Sequence, residues 1–337
     1  MLQPSGRLAL NLRSASPFLD PVTARERRKP LKFVLVLLLL VWAPAICATL
    51  VGAALAAAVD VKFNAPGQGY LTLLEARLLS AAVTHNRDLG LVAKNLPTLF
   101  YVGSAAGLLL LFASRRAGRS PRTFLTAWPR VRWRLIWTAM GVTAACYLAG
   151  LSLGSYVGVG SYEPVPGWRE AGLWRAAAFL VCIPPMVAVM ATAEEVIFRG
   201  WLLQQTAAFT RWAPVLLGVS ALSFAFMHNS NEWQRAVQLG LGGAALAWAT
   251  LRSGGIETAC GCHVATNLSF TFLDRDRAMA TVLDANGATV GMEVGSALPT
   301  PVEWAIWWLL ALTPVLVVEV LQLRDRLLPE ARVDRLP

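Results

Sequence analysis

Eight long apolar stretches, separated by connections rich in arginine, constrain this chain more than any other feature. A helix needs about 20 mostly apolar residues to cross about 30 Å of hydrocarbon. The stretches 33–59, 97–114, 135–157, 173–203, 212–228, 236–251, 256–273 and 304–323 reach or approach that length. In hydrocarbon every backbone N–H and C=O needs a partner inside the protein, so each stretch is predicted to be helical. The expected fold is all-α, a polytopic membrane helix bundle of about eight transmembrane helices. Composition agrees, with 56% hydrophobic and 15% charged residues, against about 25% charged in soluble domains.

Basic residues orient such a bundle, because cytoplasmic loops carry the excess of Lys and Arg. With the N-terminus inside, the N-tail supplies seven, the second connection supplies seven more between Arg115 and Arg134, Arg211 and Arg252 add one each, and the C-tail adds four. The opposite side holds nine: Lys62, Arg77, Arg87, Lys94, Arg169, Arg175, Arg235, Arg275 and Arg277. Twenty against nine places both termini in the cytoplasm. The net charge of +10 thus reads as membrane orientation. Nucleic acid is excluded as a partner, because the basic residues lie between apolar stretches and not on one patch of a soluble fold. With 4 lysines against 26 arginines and abundant Ala and Leu, the composition suggests a GC-rich bacterial genome, and so a multi-pass protein of a bacterial inner membrane.

Four regions follow: a basic cytoplasmic tail, 1–32; the first three helices and their loops, 33–172; a core, 173–273; and an outer loop, last helix and cytoplasmic tail, 274–337. The first apolar run is about 27 residues, too long for a signal-peptide core of 7 to 15, and is expected to be a retained helix. Within the long outer connection, 70–82 carries leucines at helical spacing and reads as an interfacial amphipathic helix. Trp307 and Trp308 sit where an aromatic belt is expected. Five cysteines, an odd number inside or beside apolar runs, argue against a disulfide framework. Cys260 and Cys262 form a C-x-C with no second pair, which reads as helix packing.

Ionisable groups inside a membrane span cost at least about 2.5 kcal/mol on insertion scales and are functional-site candidates by default. The fourth stretch holds three, Glu194, Glu195 and Arg199. Glu195 and Arg199 are four apart, share a helix face and can pair. Glu194 points elsewhere and keeps no local counter-charge, which suits a general base. Pro184 and Pro185 upstream are expected to break or kink this helix and to open a polar cavity. The fifth stretch ends Phe224-x-x-x-His228, and the seventh contains His263-x-x-x-Asn267. Two of only three histidines therefore fall in apolar segments, each with a partner one turn away; His85, in the outer loop, has no assigned role.

The ordered trio EEVIFR (194–199), FxxxH (224–228) and HxxxN (263–267) resembles the CPBP family of intramembrane endopeptidases, which includes type II CAAX prenyl proteases and bacterial Abi-type proteins. The resemblance covers roughly 173–273. It implies proteolysis within the membrane of a membrane-anchored or apolar protein or peptide, with lipid as surroundings. It further implies that Glu194 and His228 activate water, that His263 and Asn267 stabilise the oxyanion, and that Glu195 and Arg199 support the site, as does Phe224 in the second motif.

Glu194, His228 and His263 are also a plausible His₂Glu zinc set. There is no H-E-x-x-H pair, and Asn267 is a poor zinc ligand but a good oxyanion donor. The cofactor expectation is none or zinc, with a glutamate-type mechanism favoured. Depth poses a requirement: His228 falls near the outer end of its stretch, while Glu194 lies about nine residues, or about 14 Å, from the inner end of its own. The mechanism needs them to meet. A proton- or ion-coupled transporter using the same carboxylates and imidazoles is the competing reading, and a non-catalytic immunity or scaffold protein of the same family is the third.

Overall fold

The computed structural model describes residues 16–22, 87–156, 173–228, 233–273, 282–283, 289–290 and 301–327. Nine α-helices carry the described fold: α1 (Arg87–Ala117), α2 (Trp133–Tyr156), α3 (Leu173–Glu195), α4 (Leu203–Phe209), α5 (Ala213–Met227), α6 (Trp233–Ser253), α7 (Glu257–Leu273), α8 (Pro301–Ala311) and α9 (Thr313–Leu327). A two-residue antiparallel pair, Val282–Leu283 with Thr289–Val290, is the extended structure among them. The all-α expectation holds. The first apolar stretch and the proposed interfacial helix at 70–82 lie outside the described residues, as does His85.

Three details differ from the sequence expectation. Pro184 and Pro185 do not interrupt α3, which runs through both. The irregularity comes later, as a π-helical segment, Val196–Leu202, that joins α3 to α4 and carries Arg199. The wider π turn lets two helices continue as one rod to Phe209, beyond the predicted end at 203. The last apolar stretch is not one helix but the pair α8 and α9, bent by 40° where Leu312 separates them, with Pro314 in the first turn of α9.

Among the described residues no single helix is long and apolar enough to cross a membrane, whereas the bent α8–α9 pair passes that test together. The reasons are physical. Helix α5 has only 15 residues, about 22 Å of rise, and α6 carries Arg235, Gln238 and Arg252. The outer surface of the bundle is nonetheless strongly apolar, with Phe226 83%, Leu222 74%, Val181 70% and Leu309 69% exposed.

Helix α7 is the hub and packs against α2, α3, α6 and α9. Gly261 makes its crossing with α2 possible: a Cβ there would sit 2.9 Å from Ala139 Cβ and closer still to the Ile136 carbonyl. Gly243 does the same for α5 and α6, where an added Cβ would lie 3.0 Å from Phe224 Cβ and 3.1 Å from Ala221 Cα. Cys260 and Cys262 face different core clusters, one with Val196 and Leu251, the other with Ala139 and Leu246, so the C-x-C is packing. Trp307 is also core rather than belt: it is 3% exposed and stacks on Phe270 at 5.1 Å.

The connections assigned to the cytoplasmic side gather at one end of the bundle. Ala127 donates to the Gly254 carbonyl at 2.9 Å and Ile256 to that of Leu125 at 2.9 Å. Arg132 pairs with Glu257 at 2.8 Å. Part of the N-tail joins them, since Ser16 Oγ donates to the Leu251 carbonyl at 2.6 Å and Arg211 Nη2 to that of Leu19 at 2.9 Å.

Candidate active site

The three motifs converge. Glu194 ends α3 beside Glu195, His228 caps α5, and His263 lies in the first half of α7. Glu194 Oε2 stands 3.9 Å from His228 Nε2 and 3.8 Å from His263 Nε2. The depth requirement is therefore met: α5 is short enough that its C-cap reaches the level of the α3–π junction.

Each member of the glutamate pair addresses a different nitrogen of one imidazole. Glu195 Oε1 lies 2.7 Å from His263 Nδ1 and, on the same oxygen, 2.7 Å from Arg199 Nη1. A carboxylate cannot donate, so Nδ1 of His263 carries the proton. Glu195 and Arg199 are fully buried, and the guanidinium is further tied to the Gly243 carbonyl at 3.2 Å, which also accepts from Ser220 Oγ at 3.2 Å. The i, i+4 pair expected from the sequence is thus one corner of a network joining the π segment, α5, α6 and α7.

His228 is oriented from its own helix. Its Nδ1 lies 2.7 Å from the Phe224 carbonyl, an acceptor, so Nδ1 donates and Nε2 presents a lone pair toward Glu194. The Phe224 ring holds the cluster from within. It meets Phe198 edge-on at 5.4 Å, His263 edge-on at 5.6 Å and His228 at 4.5 Å, with the Arg199 guanidinium carbon 4.5 Å over its face. The catalytic candidates are partly open, with side chains 19% exposed for Glu194 and 33% for His228. Glu194 Oε2 makes no hydrogen bond among the described residues.

A cavity of about 100 Å³ adjoins the two imidazoles and is lined by His228, His263 and Asn267 together with Arg235, Gln238, Thr266 and apolar side chains; Glu194 is not among its lining residues. Asn267 is thereby placed with both histidines, one turn along α7 from His263. Sequence reasoning missed Arg235, which the charge count assigned to an outer loop, and Gln238. The signal was present: both fall four or fewer residues apart on one face at the start of α6. As for metal, no group of three or more His, Cys, Asp or Glu among the described residues is placed to hold an ion.

Residues 174–269 match the family model described as type II CAAX prenyl endopeptidase Rce1-like. This segment is an Rce1-like domain of the CAAX protease-like, or CPBP, family. It contains every residue of the cluster just described. Members of that family are, in general, membrane-embedded CAAX-type proteases. The chain is also similar to an uncharacterized protein of Bacillus subtilis, YyaK, with 27% identity over 157 residues, 44% of this chain and 50% of the relative. The match thus spans half the length of that curated relative. No solved structure matches.

Proposed function

We propose that the protein is an intramembrane endopeptidase that hydrolyses a peptide bond of a membrane-associated protein or peptide. The observation that carries this reading is the meeting of Glu194 Oε2 with two imidazole Nε2 atoms at 3.8 and 3.9 Å, from three separate helices inside an Rce1-like domain.

The chemistry follows from which atoms accept and which donate. Glu194 Oε2 and His228 Nε2 are both acceptors, so a water between them is held by its two hydrogens and turns a lone pair outward. As that oxygen attacks a carbonyl carbon, one proton passes to Glu194 and later goes to the leaving amine; the second, held by His228 Nε2, leaves the new carboxyl group and is taken up by the amine, giving a carboxylate and an ammonium. The developing oxyanion needs donors. Asn267 supplies an amide N–H. His263 has given Nδ1–H to Glu195, so it donates from Nε2 only as the imidazolium. Glu195 and Arg199 thus orient His263 rather than touch the substrate.

We read the mechanism as glutamate-type. What supports this reading is Asn267 beside the two histidines, a poor metal ligand and a good oxyanion donor, and no step of the reaction is routed through a metal ion. The apolar outer surface, with Phe226 and Leu222 mostly exposed, supports placement in a membrane, with both termini on the cytoplasmic side and lipid as the surrounding partner.

The test is to compare new protein termini in cells expressing the wild type and Glu194→Ala. Membrane-protein termini that appear with the wild type and vanish in the variant are expected. Identical termini in both strains would remove Glu194 from the chemistry.

A further inference from the structure

The connection between α1 and α2 holds two of the elements that carry the site. Its residues 118–127 lie outside the family match at 174–269. On one side they meet the π-helical segment that carries Arg199. Gly200, the next residue, lies so close to the Phe124 carbonyl oxygen that an added Cβ would sit 2.7 Å from it. Four residues on, in α4, the fully buried Gln204 donates from Nε2 to the Thr123 carbonyl at 2.8 Å and accepts at Oε1 from Arg119 Nη2 at 2.6 Å. Arg119 Nη1 donates to Thr123 Oγ1 at 2.8 Å, and its guanidinium carbon lies 3.7 Å over the Phe124 ring, which is fully buried beside Trp201. On the other side the same strand of residues meets the start of α7. The Leu125 carbonyl accepts from the Ile256 N–H, and the Ala127 N–H donates to the Gly254 carbonyl, both at 2.9 Å.

A π turn is rare, and its surroundings must favour it over a plain α-helix. Glu195, the residue before the π segment, meets His263, six residues after the start of α7, at 2.7 Å. The connection therefore spans the two elements whose side chains make that contact. We propose that residues 118–127 are a brace that sets the spacing between the π segment and α7, with Gln204 as a positioning residue that acts through Glu195 to hold His263 in its Nδ1–H form. The proposal rests on the proteolytic reading in one respect, that the contact it holds serves that reaction. Gln204 suits the task because its amide both donates and accepts, with both partners in the connection. An apolar side chain at this buried position leaves the Thr123 carbonyl without that donor.

The experiment is solid-state ¹⁵N NMR of the histidine-labelled full chain in lipid bilayers, above the imidazole titration range, where protonated and bare ring nitrogens resonate far apart. The chain has three histidines, so His85→Gln, His228→Gln and His263→Gln assign the spectrum. A neutral imidazole in water prefers the Nε2–H form, so an Nδ1–H signal marks a held ring. The wild type is expected to show it for His263, on Glu195, and for His228, on the Phe224 carbonyl of its own helix. His228 is thus the internal control. Gln204→Leu is expected to lose most of the Nδ1–H signal of His263 and to keep that of His228. Arg119→Gln, at a partly exposed residue, should give a smaller loss in the same pattern, and it decides alone by the same criterion if Gln204→Leu does not fold. In cells, termini that depend on Glu194 should fall in Gln204→Leu by about a hundredfold, the cost of a misplacement of about 1 Å. Retention of the His263 signal in the folded variants overturns the proposal, as does equal loss from both imidazoles, a wild type without Nδ1–H at His263, or unchanged termini beside a released His263. The expected spectra in a protein that makes no Glu194-dependent termini keep the brace and sink the protease reading, so the two failures are distinct.

Discussion

Glu195 Oε1 accepts from both Arg199 and His263, so one buried oxygen fixes two of the donor groups in the site. Removing its charge leaves a guanidinium in the core without its carboxylate, a change that costs about 3–5 kcal/mol for buried pairs. Glu195→Gln is therefore expected to lower the melting temperature and also to cut kcat, because the charged acceptor that holds the His263 Nδ1 proton becomes a weaker, neutral one. Glu194, whose side chain is 19% exposed and whose Oε2 has no hydrogen bond among the described residues, should behave oppositely. Glu194→Gln is expected to lower kcat by about 10²–10⁴ and leave thermal stability unchanged, as a side-by-side melt and rate measurement will show. Much of this was legible in the residues themselves. A four-residue spacing predicts the Glu195–Arg199 pair and leaves Glu194 over. Spacing along one helix carries no information about which nitrogen of His263 meets which carboxylate, or about the Gly243 carbonyl as the second anchor of Arg199.

At the scale of the helices, the site depends on two close crossings. Gly261 lies two residues before His263 and lets α7 press on α2 at Ala139; any larger residue pushes α7 away and carries His263 with it. Gly261→Val is expected to destabilise by about 1–3 kcal/mol through overpacking and to reduce kcat beyond what the loss of folded protein explains, measured as activity per folded molecule. The helices themselves were predictable from apolar length, because a buried backbone has few alternatives. Their irregularities were not. A wheel of 3.6 residues per turn has no place for the π segment at Val196–Leu202, and the proline pair that signals a kink sits inside an uninterrupted α3. The break between α8 and α9 falls next to Pro314, a signal present in the sequence but masked by a continuous apolar run on either side.

Across the whole molecule, the segment at 16–22 ties the N-tail to the core. Phe18 and Leu19 are fully buried and share one cluster with Leu251, Cys260 and the two residues that flank the glutamate pair in the chain, Ala193 and Val196. Read by composition alone, this stretch is part of a basic tail; its burial depends on contacts more than 170 residues away, which no local pattern encodes. Phe18→Ala together with Leu19→Ala is expected to cost several kcal/mol, at about 2–5 per large side chain, and to lower activity in proportion to the folded fraction in a thermal melt. Among the described residues, the connections 118–132 and 254–256 meet at the same end of the bundle. Hydropathy, in contrast, is diluted in the helices that build the site, because Arg235, Gln238 and His263 occupy positions that a plain span would fill with leucine.

The central claim is that Glu194 and His228 activate water against a peptide bond. The most direct measurement is cleavage by the purified full chain in proteoliposomes prepared in ¹⁸O-labelled water, with mass analysis of the products. The wild type is expected to place one ¹⁸O in each new carboxyl group, and Glu194→Gln to form product at least about a hundredfold more slowly. Equal product formation by the two proteins, or a pH-gradient-dependent proton flux with no product, would contradict it.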